Sequence, residues 1–83
     1  MELGKDVALT ETEDGAVLLD QRSGKYWQVN GSGAVALRTL LAGGTPQRAA
    51  EAVTARYPVD AERALADVEK LVESLRAARL VGP

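Results

Sequence analysis

Short apolar runs broken by turn residues fill the first third of the chain, and apolar residues at helical spacing fill the rest. Residues 7–10 (Val-Ala-Leu-Thr) and 16–20 (Ala-Val-Leu-Leu-Asp) flank a turn at Glu13-Asp-Gly15. A second turn, Gln21-Arg-Ser-Gly24, leads into residues 25–29 (Lys-Tyr-Trp-Gln-Val). Two apolar segments and an aromatic one, punctuated by Asp-Gly and Ser-Gly, predict a three-stranded antiparallel meander. Gly15 and Gly24 are expected to supply the positive φ such turns need.

The period then changes. Asn30-Gly-Ser32 offers an N-cap to a short apolar helix over residues 34–42, which Gly43-Gly44 stops. Thr45 is the next N-cap, with Pro46 at the first helical position, where its missing N–H costs nothing. This second helix is expected to reach about Tyr57 and end before Pro58. Asp60 caps a third helix that runs to about Arg79. The order predicts an α+β domain spanning residues 1–83, a three-stranded antiparallel sheet followed by three helices. The tight join at Pro58-Val59-Asp60 makes it winged helix-turn-helix-like.

Composition narrows the chemistry. The 83 residues suit one small domain. There is no Cys, hence no disulfide, thiolate zinc site or thiol nucleophile. There is no His either, so imidazole cannot act as base or ligand. The Ser and Thr hydroxyls have no partner of the usual kind to activate them. Gly31-Ser-Gly33 lacks the spacing and the Lys of a phosphate loop. No enzyme activity, cofactor or metal is expected. No apolar run nears the roughly 20 residues needed to cross a bilayer, and residues 1–10 lack a signal layout. The expectation is a cytoplasmic protein. Its net charge of −2 gives no general pull toward nucleic acid or membrane.

The third helix carries an unusually wide apolar arc. At 100° per residue, Leu65, Val72, Leu75 and Ala61 fall within about 60° of Val68, a normal core stripe. On one flank Arg76, Glu69 and Glu62 end the arc promptly. On the other it continues through Ala64 and Leu71 to Ala78 before meeting Asp67 and Ser74. Either another helix covers that flank or it lines a groove with Asp67 at the rim. The third strand is the second unusual feature. Tyr26 and Trp27 stand beside Gln28 and Val29, and a meander leaves its last strand as an edge whose N–H and C=O groups lack partners. Alternate residues face opposite ways, so part of this strand packs into the core. An open edge beside an apolar helix flank suits strand addition, in which a peptide pairs through its main chain and buries a few side chains.

The run Leu18-Leu-Asp-Gln-Arg-Ser-Gly-Lys-Tyr-Trp-Gln-Val-Asn30, with Gly33 and Leu40-Leu-Ala-Gly43 after it, resembles the PqqD-like family. So does Asp67-Val-Glu-Lys-Leu-Val-Glu-Ser-Leu75 with Leu80-Val81. The resemblance extends from about Val7 to Val81. It is strongest to the stand-alone leader-binding proteins of split lasso-peptide maturation systems. The resemblance implies a recognition element for a ribosomally made, post-translationally modified peptide. It implies that the leader binds as a fourth strand, antiparallel to the third, in the cleft beside the last helix. It also implies a leader carrying a Tyr, a Pro and a Leu that fill apolar pockets. The loaded leader would pass to a cysteine peptidase and to the lasso cyclase, the further partners. Carried onto this chain, the strand contacts are Tyr26, Trp27, Gln28 and Val29. The helix contacts are Asp67, Val68, Leu71 and Leu75, with Ala64 beside them. Val68 and Leu75 rest on the resemblance, because the wheel sets them nearer the core. Trp27 stands where the family often has another aromatic.

Two other readings compete. A helix-turn-helix suggests a winged-helix DNA-binding regulator. Residues 60–79 carry five acids and four bases, however, and no basic face. The open edge could also serve dimerisation between two copies of the chain.

Overall fold

The computed structural model describes residues 1–82. Three strands form one antiparallel sheet in the order β1-β2-β3: β1 (Val7–Thr12), β2 (Gly15–Asp20) and β3 (Tyr26–Asn30). Three helices follow, α1 (Gly31–Leu41), α2 (Pro46–Thr54) and α3 (Ala61–Ala77). The sheet-then-helices order and the short strands agree with the α+β, winged helix-turn-helix-like reading.

Register decides which side of the sheet is covered. Leu9 pairs with Leu18, Leu18 with Trp27, and Ala16 with Val29. With side chains alternating along each strand, these residues share the face that meets the helices. Leu18 is fully buried there against Leu37, Leu75, Leu80 and Val81, and Trp27 and Val29 pack against that cluster. Tyr26 and its cross-strand partner Leu19 point outward and are exposed. Turn chemistry supports the register. Gly24 has φ 75°, as the turn predicts. Gly15 is needed chiefly for space, since a Cβ there would run into the Val29 carbonyl of β3.

Each helix starts where its cap sits. Asn30 Oδ1 accepts the Gly33 N–H at 2.8 Å, Thr45 Oγ1 the Arg48 N–H at 3.2 Å, and Asp60 Oδ1 the Arg63 N–H at 2.8 Å. Such caps satisfy backbone N–H groups that the first turn leaves unpaired. The helix ends differ from expectation. α2 stops at Thr54 rather than Tyr57, because the Arg56 and Tyr57 amides both return to the Val53 carbonyl and tighten the last turn. α3 stops at Ala77 rather than Arg79. The Leu80 amide bonds the Leu75 carbonyl and the Arg79 amide the Arg76 carbonyl, a Schellman closure with Arg79 at φ 58°.

Two apolar clusters hold the molecule together. One lies among the helices and is built from small residues, including Ala36, Ala49, Ala50, Val53, Ala64 and Val68. The other joins α1 and the end of α3 to the sheet. The chain's beginning closes over the second, with a bridge between Leu3 and Val81 and the Gly4 amide on the Leu80 carbonyl at 2.8 Å.

Candidate functional site

β3 is the edge of the sheet, and among the described residues its ladder runs to β2 alone. Its free side opens onto a groove of about 490 Å³ between β3 and α3. Gln28, Val29 and Asn30 form one wall. Asp67 and Leu71 form the other, over a floor of Ala36, Val53, Ala64 and Val68. Tyr57 and Val59, from the α2–α3 connection, close one end. Gln28, Val29 and Asn30 also border a second open hollow of about 600 Å³ on the side of Thr12, Asp14 and Val17. The end of β3 is therefore approachable from both sides.

Small residues bring these elements together. The floor is deep because Ala36 on α1 and Ala64 on α3 have only methyl groups to place there. Gly33 lets α1 begin directly against β3, since a Cβ there would collide with the Val29 side chain and the capping oxygen of Asn30. The floor is apolar, and the polar groups stand on the rim: Gln28, Asn30, Ser32 and Asp67. Among the described residues no polar or charged side chain is buried.

The structure divides the residues singled out from sequence. Gln28, Val29, Ala64, Asp67, Val68 and Leu71 come together around the groove. Tyr26 is 65% exposed on the outer sheet face, away from the groove. Trp27 is half-buried in the sheet–helix cluster behind β3. Leu75 is placed differently from the expectation. At 3% exposure it belongs to the core with Leu18, Leu37 and Leu80, one turn beyond the groove, and does not line it. The wheel also misjudged α3. Ala64 is 1% exposed and thus core floor rather than open flank, whereas Ala61 is exposed. Ala64 lies about as far from Val68 on the wheel as Val72 does, so angle alone could not rank them. Val68, at 2% exposure, offers only an edge to the groove.

Sequence reading missed the closed end. Asn30, Ser32, Gly33, Ala36, Val53, Tyr57 and Val59 also line the groove, and all but Tyr57 lack a local signal for it. Tyr57, one of three aromatics in a chain poor in them, was the one available pointer.

Electrostatically the rim is lightly charged. The Asp67 side chain is two-thirds exposed, with the Arg63 guanidinium 4.0 Å away, a pair of little strength in water. Among the described residues no three acidic side chains gather to hold a metal ion. The exposed α3 surface mixes Glu62, Arg63, Glu69, Lys70 and Glu73 and presents no basic stripe for a phosphate backbone. What the groove offers is main-chain pairing along β3 and apolar burial beneath. An added strand could meet the five residues of β3. The α3 wall from Ala64 to Leu71 spans about 10 Å, the length of about three strand residues.

The comparisons with known proteins agree with this architecture. Residues 15–81 match the family described as coenzyme PQQ synthesis protein D (PqqD). A solved structure of lasso peptide synthetase B1 complexed with the leader peptide is 36% identical, with a TM-score of 0.88 over 99% of this chain and 96% of that one. A second, TbiB1 in complex with the TbiA(beta) leader peptide, is 25% identical, with a TM-score of 0.83 over 98% of this chain and 94% of that one. A comparison with curated proteins finds no match. Matched over residues 15–81 by one family and superposable on its leader-bound relatives, this chain belongs to the PqqD family.

Proposed function

We propose that this chain binds the leader segment of a ribosomal precursor peptide, in a lasso-peptide pathway, and performs no chemistry itself. The leader adds as a fourth strand to the free edge of β3 and lays apolar side chains on the floor formed by Ala36, Val53, Ala64 and Val68. The observation that carries this reading is the free β3 edge opening onto an apolar groove. Main-chain pairing sets the register, and the buried anchors set the selectivity. Gln28 and Val29 pair with the leader, Leu71 packs on it, and Asp67 makes a polar contact at the rim. Tyr26 and Trp27 contribute through their backbone. The two leader-bound relatives support this reading.

On this reading the chain is a cytoplasmic adaptor. It holds the leader extended while a cysteine peptidase cuts behind it, and the lasso cyclase acts on what is released. No helix among the described residues is long and apolar enough to cross a membrane. The test is a titration with the leader of a lasso-peptide precursor from the same source. Trp27 is the one tryptophan and packs behind β3, so its fluorescence reports occupancy directly. Saturable change at micromolar or tighter affinity, about −8 kcal/mol or better, is the expected result. No response at millimolar leader would remove the proposal.

A further inference from the structure

The two walls of the groove run in opposite directions, and the charges of the chain are sorted between its two ends. One end holds the start of β3, the β2–β3 turn and the last turn of α3. Backbone bonds tie them together: Asp20 N–H to Lys25 C=O, Gln21 N–H to Asp6 C=O, and Gly4 N–H to Leu80 C=O, all within 2.9 Å. Here Lys5, Arg22, Lys25, Arg76 and Arg79 outnumber Glu2, Asp6, Asp20 and Glu73. The other end holds Asn30, the β1–β2 turn and the start of α3. Gly15 pairs with both Thr12 and Asn30, and Asn30 borders the groove with Tyr57, Val59 and Asp67. Here Glu11, Glu13, Asp14, Asp60, Glu62 and Asp67 outnumber Arg38, Arg56 and Arg63. Arg38 is already bonded to Glu11, and Arg63 leans on Asp67, as Arg22 does on Asp6 at the first end. The dipole of α3 opposes this gradient by only about half a charge at each end. The side chains leave an excess of one cation at one end and three acids at the other. The side-chain gradient therefore wins.

A free strand edge accepts a peptide in either direction, with antiparallel pairing slightly favoured. In antiparallel addition the peptide's N-terminal half lies beside Asn30 and Asp67, and its C-terminal half beside Lys25. We propose that the groove selects a peptide whose cationic residues precede its acidic ones, and that this polarity fixes the direction in which the peptide adds. The inference rests on the leader-binding reading and specifies the substrate class of that site. Complementary fields of this kind act on orientation and encounter rate more than on final affinity. The charges are exposed, so the preference is modest and salt-dependent.

The test uses three synthetic peptides with one apolar centre, Tyr-Thr-Val-Thr-Leu. The first has Lys-Lys before it and Glu-Glu after it, the second has these swapped, and the third has Ser-Ser at both ends. Amide shifts of β3 on adding the Ser-flanked peptide report strand addition by itself. The Lys-first peptide is expected to bind about fivefold tighter than the Glu-first one at about 0.01 M salt, where screening reaches about 30 Å. At about 1 M salt, where screening falls to about 3 Å, the ratio should drop below about twofold. Lys25→Glu with Arg22→Glu, both in the β2–β3 turn beside the start of β3, should erase the low-salt preference and leave the Ser-flanked peptide's affinity unchanged. Equal affinities at low salt, or a preference for the Glu-first peptide, with β3 shifts present, would overturn the polarity and leave strand addition standing. Silent β3 amides with all three peptides would overturn both.

Discussion

Three residues one or two helical turns apart on α3 do different work, and substitution separates them. Leu75 is core, so Leu75→Ala should lower stability by about 2–5 kcal/mol in a denaturant titration, whether or not leader is present. Asp67 stands on the rim with a loose ion pair, so Asp67→Ala should leave the melting temperature unchanged. It should weaken leader binding by about threefold or more if the leader donates a hydrogen bond there. Leu71 is half-buried and touches both apolar clusters. Leu71→Glu should abolish binding, and it should also cost about 1–3 kcal/mol of stability, more than an exposed flank would lose. Circular dichroism melts beside the titration check both halves. Asp20, at the β2–β3 turn, gives a prediction in pH. The Arg22 amide, 3.0 Å from its Oδ1, is the main cause that holds its carboxyl below the ordinary 3.8, and Ser23 adds to it. A lowered folded value stabilises the turn above pH 3.8, and that contribution is lost as pH falls through the folded value. NMR titration of Asp20 should give a midpoint below that of Asp in an unfolded peptide.

At the scale of elements, the least comfortable point is the end of α3. Arg79 sits in the left-handed region that closes the helix, where glycine is the usual residue. Its side chain is exposed, so Arg79→Gly should raise stability by about 1 kcal/mol, read as a higher denaturant midpoint with unchanged slope. Gly15 is the opposite case. Any side chain there meets the β3 backbone, so Gly15→Ala should separate β2 from β3 at that end and remove leader binding together with stability. The leader as an element is also testable. In an added strand alternate N–H groups face β3, so a proline scan should alternate between loss and tolerance with period two. Uniform tolerance would leave strand addition without support. The elements themselves were legible from local chemistry. Asn30, Thr45 and Asp60 cap because a short side-chain acceptor there satisfies amides of the first turn, and no distant residue takes part. The end of α2 was not legible, because nothing in residues 54–57 forbids another half-turn.

At the scale of the whole molecule, stability and binding are one equilibrium. A chain of this length holds together by about 4–12 kcal/mol. Leader at a hundred times its dissociation constant would add about 2.7 kcal/mol. At about 4–8 °C per kcal/mol for a domain this small, the melting temperature should rise by about 10–20 °C, readable by thermal shift. A leader that binds without raising it would be binding the unfolded chain equally well. The same scale separates the helix-turn-helix shape from its usual use. With acids and bases mixed along α3, gel retardation of duplex DNA at low salt should be negligible.

The sequence by itself determined what depends on near neighbours: three strands from turn-punctuated apolar runs, three helices from their caps, and the absence of His and Cys chemistry. It also held the resemblance that named the family. Only the tertiary structure decided which apolar residues are walls, floor or core. Ala64 and Val72 lie at equal angles from Val68 on α3, and nothing local distinguishes them. What distinguishes them is α1, whose Ala36 admits Ala64 into a tight interior and leaves Val72 half-exposed. The groove is likewise a product of packing. Its walls, β3 and α3, lie more than thirty residues apart in the chain, and the small residues between them let the two come close without closing.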